Sequence, residues 1–346
     1  MPAQTLSPGT LLDGRYEIIR VIGRGGFGIT YEAVNRINGQ RVAIKEHIAP
    51  EGAADPARSR DKFLREARTL RDFAGETAIV TALDYLEENG GAFLIMEYLD
   101  GTTLHDYIKQ NGPLPTERAV RLFTPVMDAL TRMHAAGVIH RDISPDNLMV
   151  MADGKLKLMD FGAAKEYAQS PYTHSVVYKP SYSPPEQMDK TGVMGTYTDV
   201  YALCGTMYYC ITGKAPEDVI SRLLLDELVR PSKLGADIKP AAEQILISGL
   251  ALDSDDRIQT IDMVRNELNR LYPDLSEEEK KAAAARKRRS HRRIAVAAGI
   301  LLAAGLVLAF FNRVRLRFLT IDTISANLDG FPHDAGGIRG LLGGNP

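Results

Sequence analysis

The sequence predicts an α+β fold of two lobes, a small antiparallel-sheet lobe carrying one key helix and a larger helical lobe, followed by one transmembrane helix. Three observations predict it. Between about residues 14 and 100, strand-length runs rich in β-branched and aromatic residues recur: YEIIRVIG, ITYEAV, RVAIKEHI and AFLIMEYL. Beyond residue 103 the apolar spacing turns helical. Residues 294–311, IAVAAGILLAAGLVLAFF, are eighteen consecutive apolar or small residues without a charge, close to the roughly 20 that span a bilayer.

In the first lobe, DKFLREARTLRDF is the one helical segment among the strands. Its apolar positions recur at helical spacing. The second lobe draws its helices from TLHDYIKQ, ERAVRLFTPVMDALTRMHAAG, TDVYALCGTMYYCIT and MVRNELNRLY, with Pro- and Gly-rich breaks between them. The expected organisation is a domain over 14–272, with lobes at about 14–97 and 101–272. A charged linker over 273–293, the span over 294–311 and a short Gly-rich extracytoplasmic tail over 312–346 follow. Arg286, Lys287, Arg288, Arg289, Arg292 and Arg293 precede the span, whereas Arg313, Arg315 and Arg317 follow it. The larger basic cluster stays on the cytoplasmic side, which puts the N-terminal domain inside and makes the chain a single-pass protein of the inner or plasma membrane. Ala297, Gly299, Ala303, Ala304 and Gly305 offer small surfaces on which two such spans can approach as a homodimer.

A formal net charge of −2 gives no reason to expect nucleic-acid binding. Cys204 and Cys210 are the only cysteines and stand in an apolar stretch. They read as two buried, reduced thiols. The N-terminus MPAQTLSPGT lacks a signal-peptide pattern.

Three motifs carry chemistry. Gly23-Arg24-Gly25-Gly26-Phe27-Gly28 lies between two strand-like runs. Glycines there let backbone N–H groups approach phosphate oxygens, and a strand, not a helix, follows, which argues against a dinucleotide fold. Seventeen residues after Gly28 comes Lys45, in Val42-Ala43-Ile44-Lys45. A lysine on a buried strand needs an anionic partner, and Glu66 of the helical segment is placed to supply it. The third motif is His140-Arg141-Asp142-Ile143-Ser144-Pro145-Asp146-Asn147, with Asp160-Phe161-Gly162 eighteen residues after Asp142. Together they offer a carboxylate for a hydroxyl proton, plus an amide and a second carboxylate to hold Mg²⁺ against phosphates.

On these motifs, residues 14–272 resemble the eukaryotic-like protein kinase family as found in bacteria. The resemblance implies a two-lobed kinase fold that transfers the ATP γ-phosphate to protein hydroxyls with ATP and Mg²⁺. It implies an ATP site of Ile22, Gly23, Gly25, Gly26, Gly28, Ala43 and Lys45, with Lys45 paired to Glu66. Met96 would line the back of the adenine pocket, and Glu97 to Leu99 would form the hinge. Asp142 would be the catalytic base, joined in catalysis by Lys45 and Asn147, and Asn147 and Asp160 would bind the metal. Ser183-Pro184-Pro185-Glu186 resembles the APE motif, so Glu186 would pair with Arg257, and Asp199 would anchor the catalytic loop. In such kinases a phosphate on the activation segment, residues 160–186, can pair with Arg141. Ser170, Tyr172, Thr173 and Ser175 are the available acceptors, with Ser170, Thr173 and Ser175 the expected autophosphorylation sites.

Two positions depart from the pattern. Serine/threonine kinases carry lysine two residues after the catalytic aspartate, where this chain has Ser144. Its loss removes a positive charge expected near the γ-phosphate. Tyr178-Lys179-Pro180-Ser181-Tyr182 replaces the usual GTPxY, so Lys179 stands where a threonine helps recognise the acceptor. The DISPDN loop and the IKE stretch at Lys45 resemble one bacterial branch of the family. The reading is a membrane-associated serine/threonine protein kinase. The alternative is a membrane-tethered pseudokinase acting as a nucleotide-binding scaffold, and a small-molecule phosphotransferase is disfavoured by the PPE motif.

Overall fold

Alternation along the strands builds the first lobe. Six strands, β1 (Leu11–Leu12), β2 (Tyr16–Gly25), β3 (Gly28–Asn35), β4 (Arg41–His47), β5 (Ala82–Glu88) and β6 (Gly91–Glu97), make an antiparallel sheet in the order β1-β2-β3-β4-β6-β5. These come from a computed structural model that describes residues 5–25, 28–48, 56–166, 178–189 and 191–273. Successive side chains of a strand point to opposite faces, and β6 shows it plainly. Phe93 and Ile95 join a core with Tyr16, Ile18, Tyr31, Val42 and Ile44. Ala92 and Leu94 join a second core, shared with helix α1 (Pro56–Asp72) and the helical lobe.

Register then fixes the position of Lys45. Ile44 faces the first core, so Ala43 and Lys45 face the other side, where they oppose Met96 and Leu94 respectively. The helix α1 covers that side with Phe63, Ala67 and Leu70 buried. Glu66 therefore comes to the sheet among apolar neighbours.

The helical lobe opens with β7 (Gly101–Thr103) and α2 (Leu104–Asn111), whose N-terminus is capped by the Thr103 hydroxyl accepting from the Asp106 N–H at 3.1 Å. Helix α3 (Thr116–Ala135) and α5 (Thr196–Thr212) form its centre, with α8 (Ile261–Leu271) and α7 (Pro240–Gly249) packed around them. Every residue of α5 from Thr198 to Thr212 is buried, including the free thiols Cys204 and Cys210. Burial pushes both thiols up to about 12, which keeps them protonated and unreactive. Strands β8 (Val138–Ile139), β9 (Leu148–Met151), β10 (Leu156–Leu158) and β11 (Lys165–Glu166) form small ladders, β7-β9-β10 and β8-β11. The short helices α4 (Pro185–Met188) and α6 (Val219–Leu224) complete the lobe.

Among the described residues no helix is long and apolar enough to cross a membrane. The expected linker, the span over 294–311 and the tail lie outside the described residues.

Candidate active site

The site begins with one ion cluster between the lobes. The Lys45 ammonium lies 2.7 Å from Glu66 Oε1 and 3.0 Å from Asp160 Oδ1. Lys45 is 13% exposed and Glu66 5%, so the charges are held largely away from water. Burial alone would lower the Lys45 ammonium, but the two carboxylates raise it well above its ordinary value. Burial would likewise raise Asp160, yet Lys45 and the Gly162 N–H hold it below the usual carboxylate range. A Cβ on Gly162 would stand 3.2 Å from Asp160 Oδ1 and 3.4 Å from Glu66 Oε2, so a side chain there would crowd the cluster.

The catalytic-loop motif is suspended from Asp199, the fourth residue of the buried helix α5. Its carboxylate accepts from the backbone N–H groups of His140 at 2.7 Å and Arg141 at 2.8 Å. His134, at the end of α3, lies 2.8 Å from the same carboxylate. Burial would raise Asp199, but these partners hold it low. Arg141 and Asp160 both adopt left-handed backbone, φ +67° and +62°, a conformation that costs about 1–3 kcal/mol for residues other than glycine. The surrounding contacts hold that strain on either side of Asp142 and Asn147. The Asn147 side-chain amide donates to the Asp142 backbone carbonyl at 2.7 Å, and the Asn147 backbone carbonyl accepts from the Met159 N–H, next to Asp160. The motif is thus closed into one unit, with the Asp142 side chain only 12% exposed.

His140 is fully buried beneath this unit, its ring edge-on to Phe161 at 4.7 Å. Burial lowers its pKa against the opposing pull of Asp199, Asp142 and Asp160, while Lys179 adds to the lowering. An unfolded imidazole titrates near 6.5, so below about that pH the unfolded chain takes up a proton that folded His140 resists. Asp199 acts in the same direction at lower pH, since its folded pKa lies below the unfolded one. Thermal unfolding followed by circular dichroism should therefore show a falling midpoint from pH 7 to 5. His140→Phe should flatten the upper part of that fall.

The remaining expected residues fall around the same cleft. Ile22, Gly23 and Gly25 lie on β2 and Gly28 opens β3, whereas Gly26 lies outside the described residues. A Cβ on Gly28 would sit 2.0 Å from the Glu46 carbonyl oxygen, so only glycine fits that approach. Ala43 pairs with Met96 across β4 and β6. The residues after them, to Leu99, connect the lobes, and Glu97 is held by the Thr81 N–H at 2.8 Å and the Lys157 ammonium at 2.5 Å. Glu186 and Arg257 form the expected pair at 2.7 Å. Gln187 Nε2 donates to the Arg141 carbonyl at 2.7 Å, which ties the end of the activation segment to the catalytic loop. The Arg141 guanidinium is buried and donates to the Ala163 carbonyl at 2.5 Å. Ser170, Tyr172, Thr173 and Ser175 lie outside the described residues.

One expectation is corrected. In the sequence alone Ser144 leaves the catalytic loop without a cation, and Lys179 is a separate departure. The structure brings the two together: the Lys179 ammonium donates to Ser144 Oγ at 2.7 Å and lies 2.9 Å from Asp142 Oδ1. The positive charge at Asp142 is present and comes from the activation segment. His134 and Lys157 are further contributors that no motif singled out.

The donor set fits Mg²⁺. With the Asn147 nitrogen engaged at Asp142, its carbonyl oxygen is the end left to ligate, and the half-exposed Asp160 adds a carboxylate. Hard oxygen donors of this kind suit a small divalent cation shared with phosphate oxygens.

A glycine-bearing strand pair β2–β3, a bridged lysine and a carboxylate loop between two lobes define a phosphotransferase of the two-lobed type. The model of the protein kinase domain matches residues 16–268, and the chain belongs to the protein kinase family. It is 36% identical over 257 residues to serine/threonine-protein kinase PknD of Mycobacterium tuberculosis, covering 71% of this chain and 38% of that one. It is 34% identical over 253 residues to serine/threonine-protein kinase PknH of Mycobacterium bovis, covering 70% and 42%. Serine/threonine-protein kinase B of Synechocystis sp. is 35% identical over 224 residues, 60% and 38% of the two chains. The chain spans about two fifths of the length of these curated relatives.

Proposed function

We propose that this chain is an ATP-dependent protein serine/threonine kinase of the branch with a DISPDN-type catalytic loop. The observation that carries the proposal is the intact Lys45–Glu66–Asp160 cluster joined to a closed Asp142–Asn147 loop. In this reading Lys45 holds the α- and β-phosphates, the glycine turn covers them, and Met96 with residues 97–99 frames the adenine. Asn147 and Asp160 would hold Mg²⁺, which would supply positive charge to the phosphates. Asp142 accepts the proton of the attacking hydroxyl and orients its oxygen. Serine and threonine acceptors are favoured because the relatives are serine/threonine-protein kinases.

Residues 294–311 would anchor the protein as a single-pass span, with the kinase domain cytoplasmic and small residues available for pairing of two spans. The support is the uncharged run and its asymmetric arginine flanks. The substrates would be proteins met at that surface, and Ser170, Thr173 or Ser175 would be the autophosphorylated acceptors.

The test is label transfer from Mg²⁺-ATP by the full-length chain to itself and to a generic protein acceptor, followed by phosphoamino-acid analysis. Labelled phosphoserine or phosphothreonine, lost on chelation of Mg²⁺, is the expected result. Nucleotide binding without any transfer would instead identify a scaffold.

A further inference from the structure

The ammonium of Lys179 has no counterpart in the motif that the catalytic loop presents. Ser144 is fully buried, short and uncharged, so its hydroxyl cannot neutralise phosphate charge. Lys179 reaches the same spot from another segment. Its backbone is pinned by a turn: its N–H donates to Ser183 Oγ at 2.9 Å, and its carbonyl accepts from Tyr182 and Ser183 at 2.9 Å. The side chain then extends to the catalytic loop and ends between Asp142 Oδ1 and Ser144 Oγ. An ammonium has three donors. Among the described residues Asp142 and Ser144 engage two, which leaves the third for an anion that enters beside Asp142. Lys179 is 28% exposed, so the cleft can reach it.

The other ammonium of the site cannot fill this need. Lys45 already faces two carboxylates, Glu66 and Asp160, and that group of three carries a net negative charge. A phosphoryl group moving towards Asp142 approaches a third carboxylate. A cation placed at Asp142 itself would offset that charge, and among the described residues Lys179 is the one in contact with Asp142.

We propose that Lys179 is a catalytic residue that exchanges places with Ser144: the cation of the acceptor side is carried by the activation segment, and the hydroxyl that steadies it is carried by the catalytic loop. The inference rests on the kinase reading above. In the step it serves, the acceptor oxygen forms a bond to the γ-phosphorus and the bond from that phosphorus to the β,γ-bridging oxygen breaks. ADP leaves with the electron pair, and the acceptor proton passes to Asp142. Lys179 binds an oxygen of the transferring group throughout and loses no proton. Delivery of this cation depends on the docking of the segment, which Glu186–Arg257 and Gln187–Arg141 maintain. Transfer competence and segment placement are thereby one event.

The experiment uses the full-length chain and four variants, Lys179→Met, Lys179→Arg, Lys179→Thr and the double exchange Ser144→Lys with Lys179→Thr. Transfer kinetics are measured beside calorimetric affinities for Mg²⁺-ATP and Mg²⁺-ADP. Lys179→Met should lower kcat by about 10²–10³-fold, the cost of one preorganised donor in a transition state. It should weaken Mg²⁺-ATP by about tenfold, the scale of one charge-assisted hydrogen bond, while leaving Mg²⁺-ADP nearly unchanged. Lys179→Arg should keep most of the discrimination between the two nucleotides, and the double exchange should transfer at least about tenfold faster than Lys179→Thr. Equal weakening of both nucleotides would mark a merely structural residue and overturn the proposal. So would a Lys179→Met enzyme of wild-type kcat, or a double exchange no better than Lys179→Thr. A wild-type chain that transfers nothing would sink the kinase reading and the catalytic role with it, whereas the nucleotide discrimination would still decide whether Lys179 binds the γ-phosphate.

Discussion

Asp142→Asn is expected to lower kcat by about 10²–10⁴-fold, the range of a positioned general base, with Mg²⁺-ATP affinity changed by less than about threefold, under 1 kcal/mol. The substitution preserves shape, so the loop contacts remain. Asn147 still donates to the backbone carbonyl of position 142, and Asp199 still holds the loop by its backbone. What disappears is the carboxylate that, in the proposed reading, would take the acceptor proton, and the negative charge that Lys179 meets at 2.9 Å. Steady-state kinetics with ATP and a protein acceptor, beside direct nucleotide binding, separate these terms. A variant that retained more than about a tenth of wild-type kcat would remove Asp142 from the role of base. Loss of nucleotide binding together with kcat would point to a collapsed loop, which thermal unfolding would show.

Much of this geometry was legible because the motifs state both a residue and its backbone context. The order of Val42, Ala43, Ile44 and Lys45 already alternates faces. Once Ile44 is core, Lys45 must point the other way, and only Glu66 on α1 is both acidic and on the buried side of that helix. Glu186 with Arg257 and Asp199 with the loop backbone were legible for the same reason. The strand β5 was harder. ALDYLEE carries Asp84, Glu87 and Glu88, answered from distant positions by Arg15, Arg60 and the Asp13 backbone N–H respectively. An edge strand needs only one apolar face, so its pattern is faint.

The Lys179–Ser144 contact was illegible for a different reason. The two residues are 35 positions apart, and each reads alone as a loss. Motif reading scores positions one at a time, whereas the chemistry needs an ammonium and a hydroxyl at one point in space, whichever segment brings each. His134 is similar: a histidine in the last turn of a helix is ordinary, and its role depends on Asp199, 65 residues later.

The largest stability effect should come from Arg257, far from the reacting atoms. All five guanidinium N–H groups are used. Nε donates to the Ala251 carbonyl at 2.9 Å, Nη1 to Glu186 Oε1 at 2.7 Å and the Tyr197 carbonyl at 3.2 Å, and Nη2 to Glu186 Oε2 at 3.2 Å and the Leu252 carbonyl at 3.0 Å. The side chain is wholly buried against the rings of Tyr197 and Tyr201. Arg257→Leu would remove the counter-charge of Glu186 and the donors of three carbonyls at once, a loss on the order of 3–5 kcal/mol. At about 2–4 °C per kcal/mol for a domain of this size, the melting midpoint should fall by roughly 6–20 °C. Lysine would not substitute, because three donors on a flexible stem cannot meet five fixed acceptors. Removing both charges, Glu186→Leu with Arg257→Leu, should cost less than Arg257→Leu alone, since no buried charge is then left uncompensated. Calorimetry of the three variants decides it: a midpoint within about 2 °C of wild type for Arg257→Leu, under about 1 kcal/mol, would mean that the pair does not hold the end of the activation segment. The segment's other tie, Gln187 to the Arg141 carbonyl, would then have to position Lys179 unaided.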